Sequence, residues 1–143
     1  MMADLYFGGS VWCNIDIALR RLEPIYGQET EILGLSVIEW YVLRTLYEED
    51  GQTAGRLAEA AGRSAASFTL ILDTIQDMGL IEQCQLTADR QARHIYLTAK
   101  DKALEGQVKA SAKRIEKRIN RGLFNKDRQG YERVLADLQM MTP

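Results

Sequence analysis

The chain has 143 residues, 46% of them hydrophobic, with two prolines and a formal net charge of −2. This length suits one globular domain with a real core, and the composition excludes a disordered or linker-rich protein. No apolar run is long enough to span a bilayer and no basic-then-apolar leader opens the chain, so a cytoplasmic protein without a membrane partner is expected.

In chain order, the first expected element is an amphipathic helix around Val11 to Tyr26. Thr53 to Ala61 has the apolar spacing of a short helix, and Gly62 supplies a turn. Ser64 can cap a second helix that runs through Ser67, Thr69, Leu72 and Ile75 to Met78, with Phe68, Ile71, Leu72 and Ile75 on its apolar side. Two short helices joined by a tight glycine turn are the signature of a helix-turn-helix. Such a motif reads bases with the first turns of its second helix, so Arg63, Ser64, Ala66, Ser67 and Thr69 are the candidate groove-facing residues.

Gly79 stands where a helix needs a left-handed cap, and Leu80 and Ile81 restart an apolar run suited to a strand. Ile95 and Leu97 alternate with His94 and Tyr96 as a half-buried return strand would. Between them, Thr87 to Arg93 forms a charged tip. A two-stranded ribbon after a helix-turn-helix is a wing, and cations at its tip can meet a phosphate backbone. Further on, Leu104, Val108, Ala112, Ile115, Ile119 and Leu123 recur at helical spacing. After Asn125, a plausible cap, Tyr131, Val134, Leu135, Leu138 and Met141 do the same. These helices exceed what a small winged lobe needs to cover its core, and packing across a two-fold axis would satisfy them.

Charge is unevenly placed. Residues 1–50 carry nine acids and three bases, whereas residues 99–128 carry ten bases and four acids. The basic stripe can be a solvated helix face, a complement to the acidic N-terminal helix of a partner subunit, or, through its first lysines, a DNA contact. Enzymatic readings lack parts: His94 is the only histidine, and there is no CxxC, HExxH or glycine-rich phosphate loop. No catalytic residue, metal or cofactor is expected.

Taken together, LGLSVIEWYVL (Leu33 to Leu43), LAEAAGRSAASFT (Leu57 to Thr69), GLI (Gly79 to Ile81) and DRQARHIYLT (Asp89 to Thr98) resemble, in order, the MarR family of bacterial transcriptional regulators. The resemblance implies a mainly α fold with a small β-wing. It divides a single domain, 1–143, into a winged helix-turn-helix lobe at about 33–98 and dimerisation helices at about 1–32 and 99–143. It also implies a homodimer on double-stranded DNA, a wing reaching the minor groove, and release by a small molecule or by oxidation.

This sequence departs from the family pattern where Gln91 and Gln83 replace usual arginines. Arg90 and Arg93 remain to meet phosphates, with Gln91 between them at the wing tip. The aromatic residues Trp12, Trp40 and Tyr41 could line a pocket for a small aromatic effector, although Trp40 occupies the family's usual core position. Cys13 lies where hydroperoxide-sensing relatives carry a reactive thiol, but neighbouring Asp16 disfavours a thiolate. The expected function is thus a DNA-binding regulator, a repressor in the first instance. The alternatives are a winged-helix protein-interaction module and a thiol-based redox sensor.

Overall fold

The computed structural model describes residues 5, 7–85 and 92–143. Among the described residues, six helices and a three-stranded antiparallel sheet follow in the order α1 (Val11–Glu31), α2 (Val37–Glu48), β1 (Gln52–Thr53), α3 (Ala54–Ala60), α4 (Ala65–Asp77), β2 (Ile81–Gln85), β3 (Arg93–Leu97), α5 (Ala99–Ile119) and α6 (Asn125–Gln139). This is the mainly α fold with a β-wing expected from the sequence.

Local chemistry sets the boundaries. Ser36 caps α2 in a reciprocal box, its hydroxyl accepting from Glu39 N while the Glu39 carboxylate accepts from Ser36 N. Thr53, Ser64 and Thr98 cap α3, α4 and α5 by the same hydroxyl-to-amide bond. Gly62 and Gly79 adopt φ values of +65° and +78°, the left-handed geometry that ends α3 and α4 and that a side chain would strain.

The core is built from one face of each lobe element. Leu43 and Leu46 of α2, Leu57 of α3, Phe68, Leu72 and Ile75 of α4, and Ile81 and Ile95 of the ribbon are all buried. Val108, Ala112 and Ile115 of α5 join the same cluster, so the middle and second half of that long helix also pack on the lobe core. Each of the larger of these side chains contributes about 1.5–3 kcal/mol by leaving water.

Three boundaries differ from expectation. Helix α1 continues past Pro24 to Glu31, because the turn after the proline buries Thr30 and pairs Glu29 with Arg114 of α5 at 2.8 Å. Helix α5 ends at Ile119, leaving Leu123 in the connection. Helix α6 is capped by Phe124 and not by Asn125: the Phe124 N–H donates to the Asp127 carboxylate at 3.1 Å.

The sheet also holds a strand that periodicity did not reveal. Gln52 and Thr53 pair with Ile95 and His94, giving the order β1-β3-β2. The buried Gln52 amide donates to the carbonyls of Thr45 and Glu49, closing the end of α2 at the point where β1 begins.

Candidate nucleic-acid interface

Helix α4 is fixed by the lobe on one side and open on the other. Phe68, Leu72 and Ile75 face the core, while Ala66, Ser67, Leu70 and Thr74 are exposed at helical spacing. The N-terminal turn is ordered by its own hydroxyls. Ser64 Oγ accepts from Ser67 N at 3.2 Å and donates to Ser67 Oγ at 3.0 Å, and Ser67 Oγ donates to Ser64 O. Thr69 Oγ1 donates to Ala65 O at 3.0 Å. Each hydroxyl keeps acceptor capacity for a group outside the protein. Arg63, in the turn before the helix, is exposed, with its N–H on Ala58 O.

Leu70 is a residue that the sequence reading missed. It is 71% exposed, one turn beyond Ser67 on the same open face. Its place three residues after Ser67, outside the Phe68–Leu72–Ile75 stripe, was the available signal. A large apolar side chain there suits contact with a thymine methyl.

The wing is held against α4 by side chains. Gln83 of β2 donates its backbone N–H to Gln76 Oε1 at 3.1 Å, donates through Nε2 to Asp73 Oδ1 at 2.9 Å, and accepts at Oε1 from Arg93 Nη1 at 3.2 Å. Arg93, expected in the tip, is instead the first residue of β3. It shares a cleft of about 350 Å³ with Thr53, Gly55, Ala65 and Thr69. The structure therefore brings Thr69 and Arg93, two of the candidate contact residues, to one depression. Asp89, Arg90 and Gln91 lie outside the described residues.

The far end of α4 is joined to α5. Lys100 Nζ donates to Met78 O at 2.7 Å, Thr98 Oγ1 to Gly79 O at 2.6 Å, and Thr98 N to Leu80 O at 3.1 Å. Lys100, one of the first lysines of the basic stripe, thus satisfies a carbonyl at the helix end, where a cation also opposes the helix dipole. Arg114 of the same stripe pairs with Glu29 within the chain, which realises part of the complementarity between the basic and acidic helices without a partner.

The aromatic residues are distributed differently from a shared pocket. Trp40 is 3% exposed, donates from Nε1 to Ser111 Oγ at 2.9 Å, and meets Tyr26 edge to face at 5.5 Å. Tyr41 donates to Ala60 O at 3.2 Å. Trp12 is 81% exposed near the start of α1. It precedes Tyr26 by fourteen residues in one helix, roughly 21 Å along the axis, so one chain does not bring it to Trp40 and Tyr41. Cys13 is half-buried in the first turn of α1, and Cys84 is half-buried in β2 opposite His94. His94 Nδ1 lies 2.9 Å from Gly51 O, a structural bond between β3 and the preceding turn.

A second surface runs along the terminal helices. An apolar groove of about 820 Å³ is lined by Val11, Ile15, Leu19 and Leu22 of α1 and by Tyr131, Val134, Leu135 and Leu138 of α6. Helix α6 has no buried residue, and α1 buries only Thr30. No helix among the described residues is long and apolar enough to cross a membrane.

A family model for MarR matches residues 35–92, which run from just before α2 through β2 to the residue before β3. Over these residues the chain is similar to the MarR family. Nine-tenths or more of the chain also superposes on solved structures. One is Bordetella bronchiseptica BpsR, whose DNA binding is regulated by 6-hydroxynicotinic acid: TM-score 0.84, 18% identity, 98% of this chain and 100% of that one covered. A MarR transcriptional regulator from Methanosarcina mazei Go1 gives a TM-score of 0.79 at 20% identity, covering 90% of this chain and 92% of that one. A further transcriptional regulator shares 26% identity at a TM-score of 0.77, with 92% and 100% covered. MarR proteins and these neighbours are transcription regulators and not enzymes.

Proposed function

We propose that this chain is a sequence-specific DNA-binding transcriptional regulator that acts as a homodimer on a palindromic operator, in the first instance as a repressor. The observation that carries the reading is the open face of α4. Ala66, Ser67 and Leu70 project from a helix whose opposite face is locked in the core, with Thr69 and the Arg93 guanidinium at its flank. Small polar and apolar groups on a rigid helix can read base edges, while a flanking cation takes a phosphate. Arg63, Ser64, Arg90 and Gln91 complete the proposed contact set.

The apolar groove between α1 and α6 supports the dimer. A second copy supplies matching helices, and each copy then holds one α4 for one half-site. Because Thr98 and Lys100 join the end of α4 to the start of α5, a change of helix packing in the dimer moves the reading helices with it. An aromatic acid is the effector class we propose, by likeness to BpsR. Tyr41 at the surface of α2, with Trp12 brought from a second copy, forms its candidate site, while Trp40 stays in the core. A ligand favouring the DNA-free arrangement releases the operator by that preference.

Selection of bound fragments from genomic DNA, repeated over a salt series, tests this function. Enrichment of a palindromic site supports it. No enrichment at any salt favours the protein-interaction reading. Release by mild peroxide that Cys13→Ser abolishes, with no response to aromatic acids, favours the thiol sensor.

A further inference from the structure

Gln83 sits between two opposite charges. Its side chain lies on the sheet face of Ile81 and Ile95, diagonal to Arg93, whose direct cross-strand partner is Gln85. At one end Nε2 reaches Asp73 on α4; at the other Oε1 receives Arg93 at the root of β3. A side-chain amide has a donor for the carboxylate and an acceptor for the guanidinium on one planar group. Glutamate would set a second carboxylate against Asp73, a lysine or arginine would set a cation against Arg93, and methionine would serve neither. The glutamine at this position is therefore matched to the arginine at position 93.

We infer that Gln83 is the positioning residue for the wing's DNA contact: it ties Arg93 to Asp73 of the reading helix, so that the guanidinium is held over the cleft shared with Thr69. The helix and the cation then meet one duplex as a single rigid unit, and Arg93 loses less side-chain freedom on contacting a phosphate. This role rests on the DNA-binding reading above. Gln83 acts through Arg93, and that dependence separates it from a merely structural glutamine.

A mutant cycle tests the dependence. The wild type, Gln83→Met, Arg93→Ala and the double variant are titrated against a labelled random-sequence duplex of about 30 base pairs, three helical turns, over a potassium chloride series. Each single variant should weaken binding, Gln83→Met by about 5-fold, the worth of one ordinary hydrogen bond. The double variant should bind no more weakly than Arg93→Ala alone. Losses that simply multiply, or a Gln83→Met protein that binds like wild type, overturn the inference.

Charge rescue gives a second arm. Gln83→Glu should weaken binding, and adding Asp73→Asn should restore it to within about 2-fold, because an asparagine amide can donate to the new carboxylate. Failure of that rescue with both proteins melting at the wild-type temperature also overturns the inference. A wild type that binds no duplex at low salt rejects the DNA reading and the role together. The tether is then judged by the Arg93 Nε–H nuclear magnetic resonance signal: its failure to change in Gln83→Met shows that the tether does not exist.

Discussion

Asp101 shows how much a single side chain can depend on packing. The residue is 1% exposed, at the third position of α5, where its N–H meets the Thr98 cap. Oδ1 accepts from the Tyr47 hydroxyl at 2.9 Å, and Oδ2 has no hydrogen-bond partner among the described residues. Burial pushes the Asp101 carboxyl above the usual carboxylate range, the Tyr47 hydrogen bond opposes this, and Glu105 and Asp50 raise it further. Since the folded state holds the proton more tightly than the unfolded one, this group costs stability when ionised. The cost is relieved as pH falls through the raised value and is gone below the unfolded one. Denaturation of wild type and Asp101→Asn at several pH values should show a stability difference that shifts in favour of wild type between neutral pH and about pH 4. A difference independent of pH would mean that Asp101 does not titrate with folding. The sequence placed a carboxylate at a helix start, where the dipole favours it. Its burial was not legible, because the Tyr47 partner is set by the packing of α2 on α5.

At the scale of elements, the caps were the most readable features. Ser64, Gly62 and Gly79 act through their own backbone, so residue type and position suffice to find them. The helix-turn-helix and the ribbon followed directly from those punctuation marks. What escaped depends on contacts distant in sequence. Strand β1 has only two residues and exists because Ile95 and His94 pair with it. The Gln83 tether needs Asp73 and Arg93, each ten residues away, to be folded onto one face. Leu70 was passed over because an apolar residue on an apolar helix reads as core until the helix is oriented.

The joint between α4 and α5 carries its own prediction. Thr98 both caps α5 and donates to the last turn after α4, so Thr98→Val should lose about 1–2 kcal/mol in urea denaturation. It should also loosen amide exchange at the end of α4 before the rest of the lobe. An unchanged midpoint would show that the joint is held by the core alone.

At the scale of the whole molecule, the lobe closes its own core while the terminal helices leave an apolar groove. Val134 and Leu135 are half-exposed on α6, facing the groove and not the lobe. Val134→Glu should shift a sedimenting dimer toward monomer while leaving the lobe folded, since a carboxylate in an apolar interface costs several kcal/mol. A variant that sediments as wild type would place the subunit contact elsewhere. Arg114, in the basic stripe of α5, pairs with Glu29 of α1 and so ties these two helices within one chain.

The central claim is that two copies of α4 read one operator. It is tested most directly by selecting duplexes from a random pool with wild type and with Leu70→Asn, at matched salt, and comparing the enriched sites. The account predicts a palindrome for wild type and, for the variant, a changed base preference at the same position in both halves, worth about 1–3 kcal/mol per altered contact. An identical site from both proteins, or a wild-type site without two-fold symmetry, would contradict it.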